Sequence, residues 1–217
     1  VDIFDQETGV WPESATYSLG VCKDMMDIIT MIDNAENNHM LDTFAIMKKA
    51  VPATVEYLLP NGKVTAFGDA KYVPLSSPTL EMMVSLYRKC GENVKEKELT
   101  QVLRKMMEEG VYDRSANRSM FALFFYVDEL MEINPPEVSY NHLTSNMFYA
   151  PNVSWLVQRN GKERENGMVF TLVGSYGNHA HANGISMEMY AKGLILVPES
   201  SFGVSYSTRD NQEYYAR

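Results

Sequence analysis

Basic residues are scarce in this chain of 217 residues, with 19 Lys and Arg against 28 Asp and Glu and a net charge of −9. Binding to a nucleic-acid backbone needs a basic face. No run or cluster of Lys and Arg supplies one, so nucleic acid is set aside as a partner. An acidic surplus does not bar an anionic ligand, provided a few cations gather locally. Long apolar runs are also missing. None reaches the ~18 residues that cross a bilayer, so no membrane span is expected. The opening stretch Val1–Glu7 lacks the positive start and apolar core of a signal peptide, and no Met begins it, so the chain reads as a piece of a longer protein. Only Cys22 and Cys90 are present, far apart and in no paired motif. Buried free thiols on apolar helix faces are the plainer reading, with one disulfide as the alternative if the protein is exported. Low-complexity tracts are absent, and no repeat extends beyond helical hairpins.

What is present is an ordinary globular balance, 45% hydrophobic and 22% charged, with enough length for one large domain or two small ones. The 15 Met read as fillers of an irregular core rather than as a metal box. Up to Pro135-Pro136 the apolar spacing is helical. Val21, Met25, Ile28, Ile29 and Ile32 follow i, i+3, i+4, i+7. Leu41, Phe44, Ala45, Lys48 and Val51 start a second helix that Pro52 kinks or ends. Ser77-Pro78-Thr79 opens a third, with Leu80, Met83, Val84 and Tyr87 on one face and Cys90-Gly91 as its stop. Leu99, Val102, Leu103 and Met106 line a fourth that ends at Gly110. Met120–Met131, almost continuously apolar, predicts a fifth and well-buried helix. Short links between successive helices imply antiparallel hairpins.

Beyond Pro136 the period changes to two. Residues 153–159 and 168–173 are strand candidates, joined by a loop that begins with the tight-turn pair Asn160-Gly161. Ile185, Met187 and Met189 alternate with Ser186, Glu188 and Tyr190, which predicts a half-buried strand with one wet face. Lys192-Gly193 then turns into Leu194–Val197. Helices followed by antiparallel strands give an α+β chain of two units, residues 1–136 and 137–217, rather than a βαβ fold.

Three polar segments are candidates for chemistry. The densest is Gly174–Gly184, which holds Asn178, His179, His181 and Asn183 between glycines. On extended backbone the two histidines, two residues apart, point to one side, where they can bind a metal or hold a carboxylate. The second is Trp11-Pro12-Glu13-Ser14-Ala15-Thr16-Tyr17-Ser18, at the mouth of the first helix. Tyr17 there is either a sugar-stacking or proton-carrying group or a packing residue beneath a Ser14 or Thr16 cap. The third is the loop Leu59-Pro60-Asn61-Gly62-Lys63, followed by Gly68-Asp69. Arg159, Lys162, Arg164 and Lys192 are candidate anion contacts, with a solvated face as the plainer reading for each.

In combination these segments resemble the heparinase II/III-like polysaccharide lyases, which include oligoalginate lyases. Residues 178–193, Asn-His-Ala-His-Ala-Asn-Gly-Ile-Ser-Met-Glu-Met-Tyr-Ala-Lys-Gly, resemble that family's HxHxD stretch and following strand, with Asn183 where the family has Asp. Residues 9–17 resemble its Asp-Gly-aromatic-x-Glu-x-x-x-Tyr segment, and Leu59–Gly62 and Gly68-Asp69 resemble its Leu-Pro-Asp-Gly and Gly-Asp elements. The four matches run in family order along nearly the whole chain. The resemblance implies an α/α toroid whose C-terminal part is residues 1–136, followed by the start of a β-sandwich at 137–217.

It also implies a chemistry: β-elimination in a uronic-acid polysaccharide, heparin-like or alginate-like. A polar group neutralises the uronate carboxylate, a Tyr removes the C5 proton, and a Tyr or His protonates the leaving oxygen. By position Tyr17 is the base, His179 sits beside the carboxylate or leaving group, and Tyr206 is a second candidate Tyr. His181 and Glu199 are the implied ligands of a structural zinc, and Trp11, Glu13, Asn178 and Arg159 the implied substrate contacts. Further site residues are expected before Val1 and after Arg217, and a periplasmic or secreted setting is implied. Two rivals belong to other classes: a carbohydrate-binding protein of this fold without catalysis, and a metal-dependent hydrolase using His179 and His181.

Overall fold

A computed structural model of the chain describes residues 3–75, 77–116, 122–174 and 185–199. A helical layer comes first: α1 (Ala15–Glu36), α2 (Met40–Thr43), α3 (Met47–Ala53), α4 (Ser77–Lys89), α5 (Asn93–Glu108) and α6 (Ala122–Phe125). Five strands follow: β1 (Met147–Ala150), β2 (Trp155–Asn160), β3 (Met168–Gly174), β4 (Ile185–Ala191) and β5 (Leu194–Val197). They form one antiparallel sheet in sequence order, so the architecture is α+β. The sheet's inner face and the helices share one hydrophobic core.

Two helices follow the sequence pattern closely. In α4, Leu80, Met83, Val84 and Tyr87 are buried; in α5, Leu99, Val102, Leu103 and Met106 are. Gly91 and Gly110, both at φ +71°, take the left-handed conformation that stops these helices at little steric cost. Arg88 of α4 pairs with Glu96 of α5, as expected of an antiparallel hairpin. Pro52 lies inside the last turn of α3, which passes into a 3₁₀ turn at Thr54–Tyr57.

Three expectations are corrected. In α1 the buried stripe is Leu19, Cys22, Met26, Ile29 and Asp33, while Ile28 is exposed and Val21, Met25 and Ile32 are half-buried. The helix rotates because Asp33 is needed inside: it accepts Met40 N–H at 3.1 Å and pairs with Lys89 at 2.9 Å. Residues 122–131 are not a long buried helix. α6 lasts one turn, Val127 is extended, and a 3₁₀ turn covers Asp128–Met131, with Leu123, Tyr126 and Met131 exposed. Val127 N–H donates to the buried Glu81 carboxylate at 3.1 Å, a bond that draws the backbone out of the helix.

In β4 the wet face is the apolar one: Ile185 and Met187 point out, while Ser186, Glu188 and Tyr190 point in. Hydrogen bonding decides this orientation. Ala66 N–H donates to Glu188 Oε1 at 2.9 Å, Ser186 donates to Glu199, and the Tyr190 hydroxyl donates to Arg164 O at 2.6 Å. Lys192 (φ +53°) and Gly193 (φ +77°) form the β4–β5 turn as a left-handed pair.

Trp155 is the join between layers. It is fully buried and stacks on Tyr57 at 4.4 Å and 12°, with Phe67 at 5.8 Å and Phe148 edge-on at 5.3 Å. Its indole N–H donates to Thr171 Oγ1 at 2.8 Å, which satisfies its only polar atom.

Candidate functional site

The mouth of α1 is built from residues 9–18. Gly9, at φ +82°, passes so close to α3 that an added Cβ would lie 2.5 Å from Ala50 N. Trp11 stands edge-on to Phe4 at 4.9 Å, and its N–H donates to Glu13 Oε2 at 2.6 Å. Ser18 Oγ donates to the carbonyls of Trp11 and Glu13, at 3.3 and 3.2 Å. Trp11 and Glu13 thus brace the turn into the helix. Ser14 occupies the N-cap position but makes no side-chain cap bond. Tyr17, in the first turn, is 42% exposed. No acidic residue occupies that first turn, and the acid at the mouth is Glu13, just before the N-cap Ser14.

The sheet reaches the same corner. Asn152 Nδ2, in the turn between β1 and β2, donates to Val10 O at 2.8 Å. Gly174 N–H reaches Ser154 O at 3.4 Å, and Gly174 pairs in register with Ile185. The two residues that flank the stretch 175–184 therefore lie at the sheet end that touches the mouth of α1. Asn178, His179, His181 and Tyr206 lie outside the described residues.

Arg159 is corrected. As a substrate contact or a solvated residue it would stand open, but it is buried beneath the sheet. Its Nη1 meets Glu56 Oε2 at 2.8 Å and Ser145 O at 2.9 Å, and its Nη2 meets Glu56 O at 2.6 Å. The inward face of β2 and the Glu56 carboxylate fix it there as a strut between layers. Lys162 donates to Thr144 O, while Arg164 is exposed. Both cysteines are free, Cys22 buried and Cys90 partly so. Burial pushes the Cys22 thiol up to about 12.

Glu199 is engaged locally. Its carboxylate accepts the Ser186 hydroxyl, and its N–H donates to Tyr72 Oη at 2.8 Å. Close by, Glu188 is buried against residues 66–72. Desolvation first, and then the charge of Glu199, push its carboxyl up to about 7; the Tyr72 hydroxyl and Ala66 N–H oppose the rise. Tyr72 contributes through proximity, yet no well-aligned donor reaches Glu188 Oε2. The same surroundings push the Tyr72 phenol above its usual range, burial first and Glu188 next. Among the described residues no group of three or more His, Cys, Asp or Glu is placed to hold a metal.

A second buried carboxylate, Glu81, went unnoticed in the sequence. It accepts the Tyr112 hydroxyl at 2.5 Å and Val127 N–H, and it pairs with Arg114. Its signal was there: a lone acid inside the apolar run Leu80-Glu81-Met82-Met83-Val84 must find partners when buried.

Comparison with known families bears on this geometry. No curated protein matches the chain. A family model described as the second domain of endo-acting ulvan lyase matches residues 7–144, which spans the helical layer and Tyr17. The heparinase II/III-like resemblance thus finds its coarser support in another polysaccharide lyase family. By that match over more than half its length, the chain belongs to the family of endo-acting ulvan lyase second domains.

Proposed function

We propose that this chain belongs to a lyase that cleaves a uronic-acid polysaccharide by β-elimination, with Tyr17 as the base that removes the C5 proton. The observation that carries this reading is an exposed Tyr17 in the first turn of α1, a helix whose entry segment is bonded at Val10 O to Asn152 beside the sheet end that leads into residues 175–184. Helix N–H groups favour negative charge at a helix mouth. Such a setting suits a uronate carboxylate. A carbanion-like state needs charge stabilised at the carboxylate, in a site that excludes bulk water.

In this reading His179 stands beside the carboxylate or the leaving oxygen. Tyr17 returns its proton to the leaving group, with Tyr206 as the alternative acid. Asn178 contacts substrate, and Trp11 and Glu13 hold the turn that presents Tyr17. A structural zinc on His181 and Glu199 belongs to the same reading. Of the two, only Glu199 is described, its carboxylate already takes the Ser186 hydroxyl, and the proton transfers do not depend on the metal. The helical layer is read as part of an α/α toroid. The sheet is read as one half of a sandwich, a reading supported by the exposed apolar side chains of Met147, Tyr149, Ile185, Met187, Leu194 and Leu196. The polymer is of the ulvan, heparin or alginate kind, met in the periplasm or outside the cell.

Tyr17→Phe tests the base in the protein that contains this chain. It removes one hydroxyl from an exposed position, so the fold should stand. Formation of the C4–C5 double bond should fall about 10²–10⁴-fold. Activity within twofold of wild type would remove Tyr17 from the mechanism.

A further inference from the structure

An open cleft of about 610 Å³ lies between the C-terminal half of α5, residues 112–115 and the Tyr126–Met131 turn. Its position follows from helix directions. Lys89, at the end of α4, pairs with Asp33 in the last part of α1, so these two helices run the same way. α5 returns antiparallel and ends beside the start of α4. The cleft therefore opens beside the start of α4.

Arg104, Asp113, Arg114, Ser115 and Tyr126 are among its walls. Arg104 is held by its Nε, which donates to Ile133 O at 2.9 Å and so fixes the plane of the guanidinium. Arg114 is clamped from behind by Glu81 and by Val127 O, at 2.7 Å from Nη2, with its side chain only 9% exposed. Its Nη1 is buried and has no hydrogen-bond partner, so Arg114 is a support of the wall and not a donor open to the cleft. Tyr126, 53% exposed, lays its ring 3.8 Å from the Arg114 guanidinium. Asp113 takes Ser115 N–H at 2.8 Å and the Ser115 hydroxyl at 2.7 Å, which places both side chains together on one wall.

A planar carboxylate or sulfate suits guanidinium forks. A sugar ring has an apolar face for an aromatic and hydroxyl groups that donate to a carboxylate such as Asp113. We propose that this cleft is a binding subsite for an acidic sugar unit of the polymer, with Arg104 taking the anion, Tyr126 taking the ring face and Asp113 taking hydroxyl protons, while Arg114 holds the Tyr126 ring in place from behind. This rests on the lyase reading for its substrate class.

The test is calorimetric titration of the full chain with an unbranched glucuronate tetrasaccharide and with the neutral glucose tetrasaccharide. Arg104→Gln and Tyr126→Ala are the variants; Arg114 neutralises buried Glu81 and is left in place. Both should unfold at the wild-type temperature. The glucuronate probe should bind wild type better than the neutral one and weaken with salt. It should lose roughly tenfold affinity in Arg104→Gln and about three- to fivefold in Tyr126→Ala. Equal binding of the two probes, no binding of glucuronate, or affinities within twofold of wild type in both variants would overturn the subsite. Double-bond absorbance read on the parent protein separates the two claims. Cleavage whose KM the variants leave unmoved refutes the subsite and spares the lyase. Variant-sensitive binding without a double bond does the reverse.

Discussion

Glu188→Gln isolates the energetic cost of one buried carboxylate. Glu188 is 2% exposed on the inner face of β4, opposite Thr171 on β3 and against Ala66 and Tyr72. Its carboxyl is raised from 4.5 to about 7. In an unfolded chain it ionises near 4.5; in the fold it keeps its proton until about pH 7. Between those values the native state binds more protons than the unfolded state, so stability falls as pH rises. At ~1.4 kcal/mol per unit the whole cost is on the order of 3 kcal/mol, absent below about pH 4.5 and complete above about pH 7. Gln keeps the shape and the acceptor for Ala66 N–H, and it carries no charge. Wild type and Glu188→Gln should therefore have similar urea midpoints near pH 4.5. The variant should draw ahead as pH rises, by an amount equivalent to ~6–12 °C in Tm for a chain of this size. Parallel pH profiles would refute the reasoning, and so would a wild type that gains stability over the variant between pH 5 and 8.

Arg159→Ala removes a buried guanidinium and leaves the half-buried Glu56 carboxylate with Ser145 as its remaining donor; it should cost about 3 kcal/mol, read as a shift in the urea midpoint, and a change below ~1 kcal/mol would mean the strut is solvated. Trp155→Ala removes the ring shared by both layers and should cost about 3–5 kcal/mol, again by denaturant titration. Gly9→Ala forces a side chain onto the Ala50 backbone at positive φ and should lower Tm by several degrees; an unchanged Tm would show that the turn yields. In native buffer an alkylating reagent should label Cys90 well before Cys22, whose thiol is buried and held protonated; mass mapping of early label on Cys22 would contradict this.

Regular spacing was readable where burial and hydropathy agree. The faces of α4 and α5, their glycine stops and the two strand turns all follow from local pattern. Reading failed where a buried polar group outranked hydropathy. Asp33 rotates α1, Glu81 ends α6 early, and Glu188 with Ser186 turns β4 inside out. Each of these bonds joins residues far apart in sequence, such as Ala66 to Glu188 across 122 positions, and a periodicity search cannot see them. Arg159 misled for the same reason, since a cation on a strand reads as solvated until its partner Glu56 is known. In the site, Tyr17 and the Trp11–Glu13 turn were legible as a polar segment at a helix mouth, while Arg104, Arg114 and Tyr126 converge only through the packing of α4 on α5 and the turn after α6.

The most direct measurement of the central claim is to digest a uronate polymer with the intact parent protein in heavy-oxygen water and weigh the products. Elimination breaks the C4–O bond without adding water. It predicts product ends that carry a C4–C5 double bond, absorb in the ultraviolet and contain no heavy oxygen from cleavage, and it predicts that Tyr17→Phe yields almost none of them. Saturated ends that carry one heavy oxygen for each bond cut would make the protein a hydrolase and contradict the account.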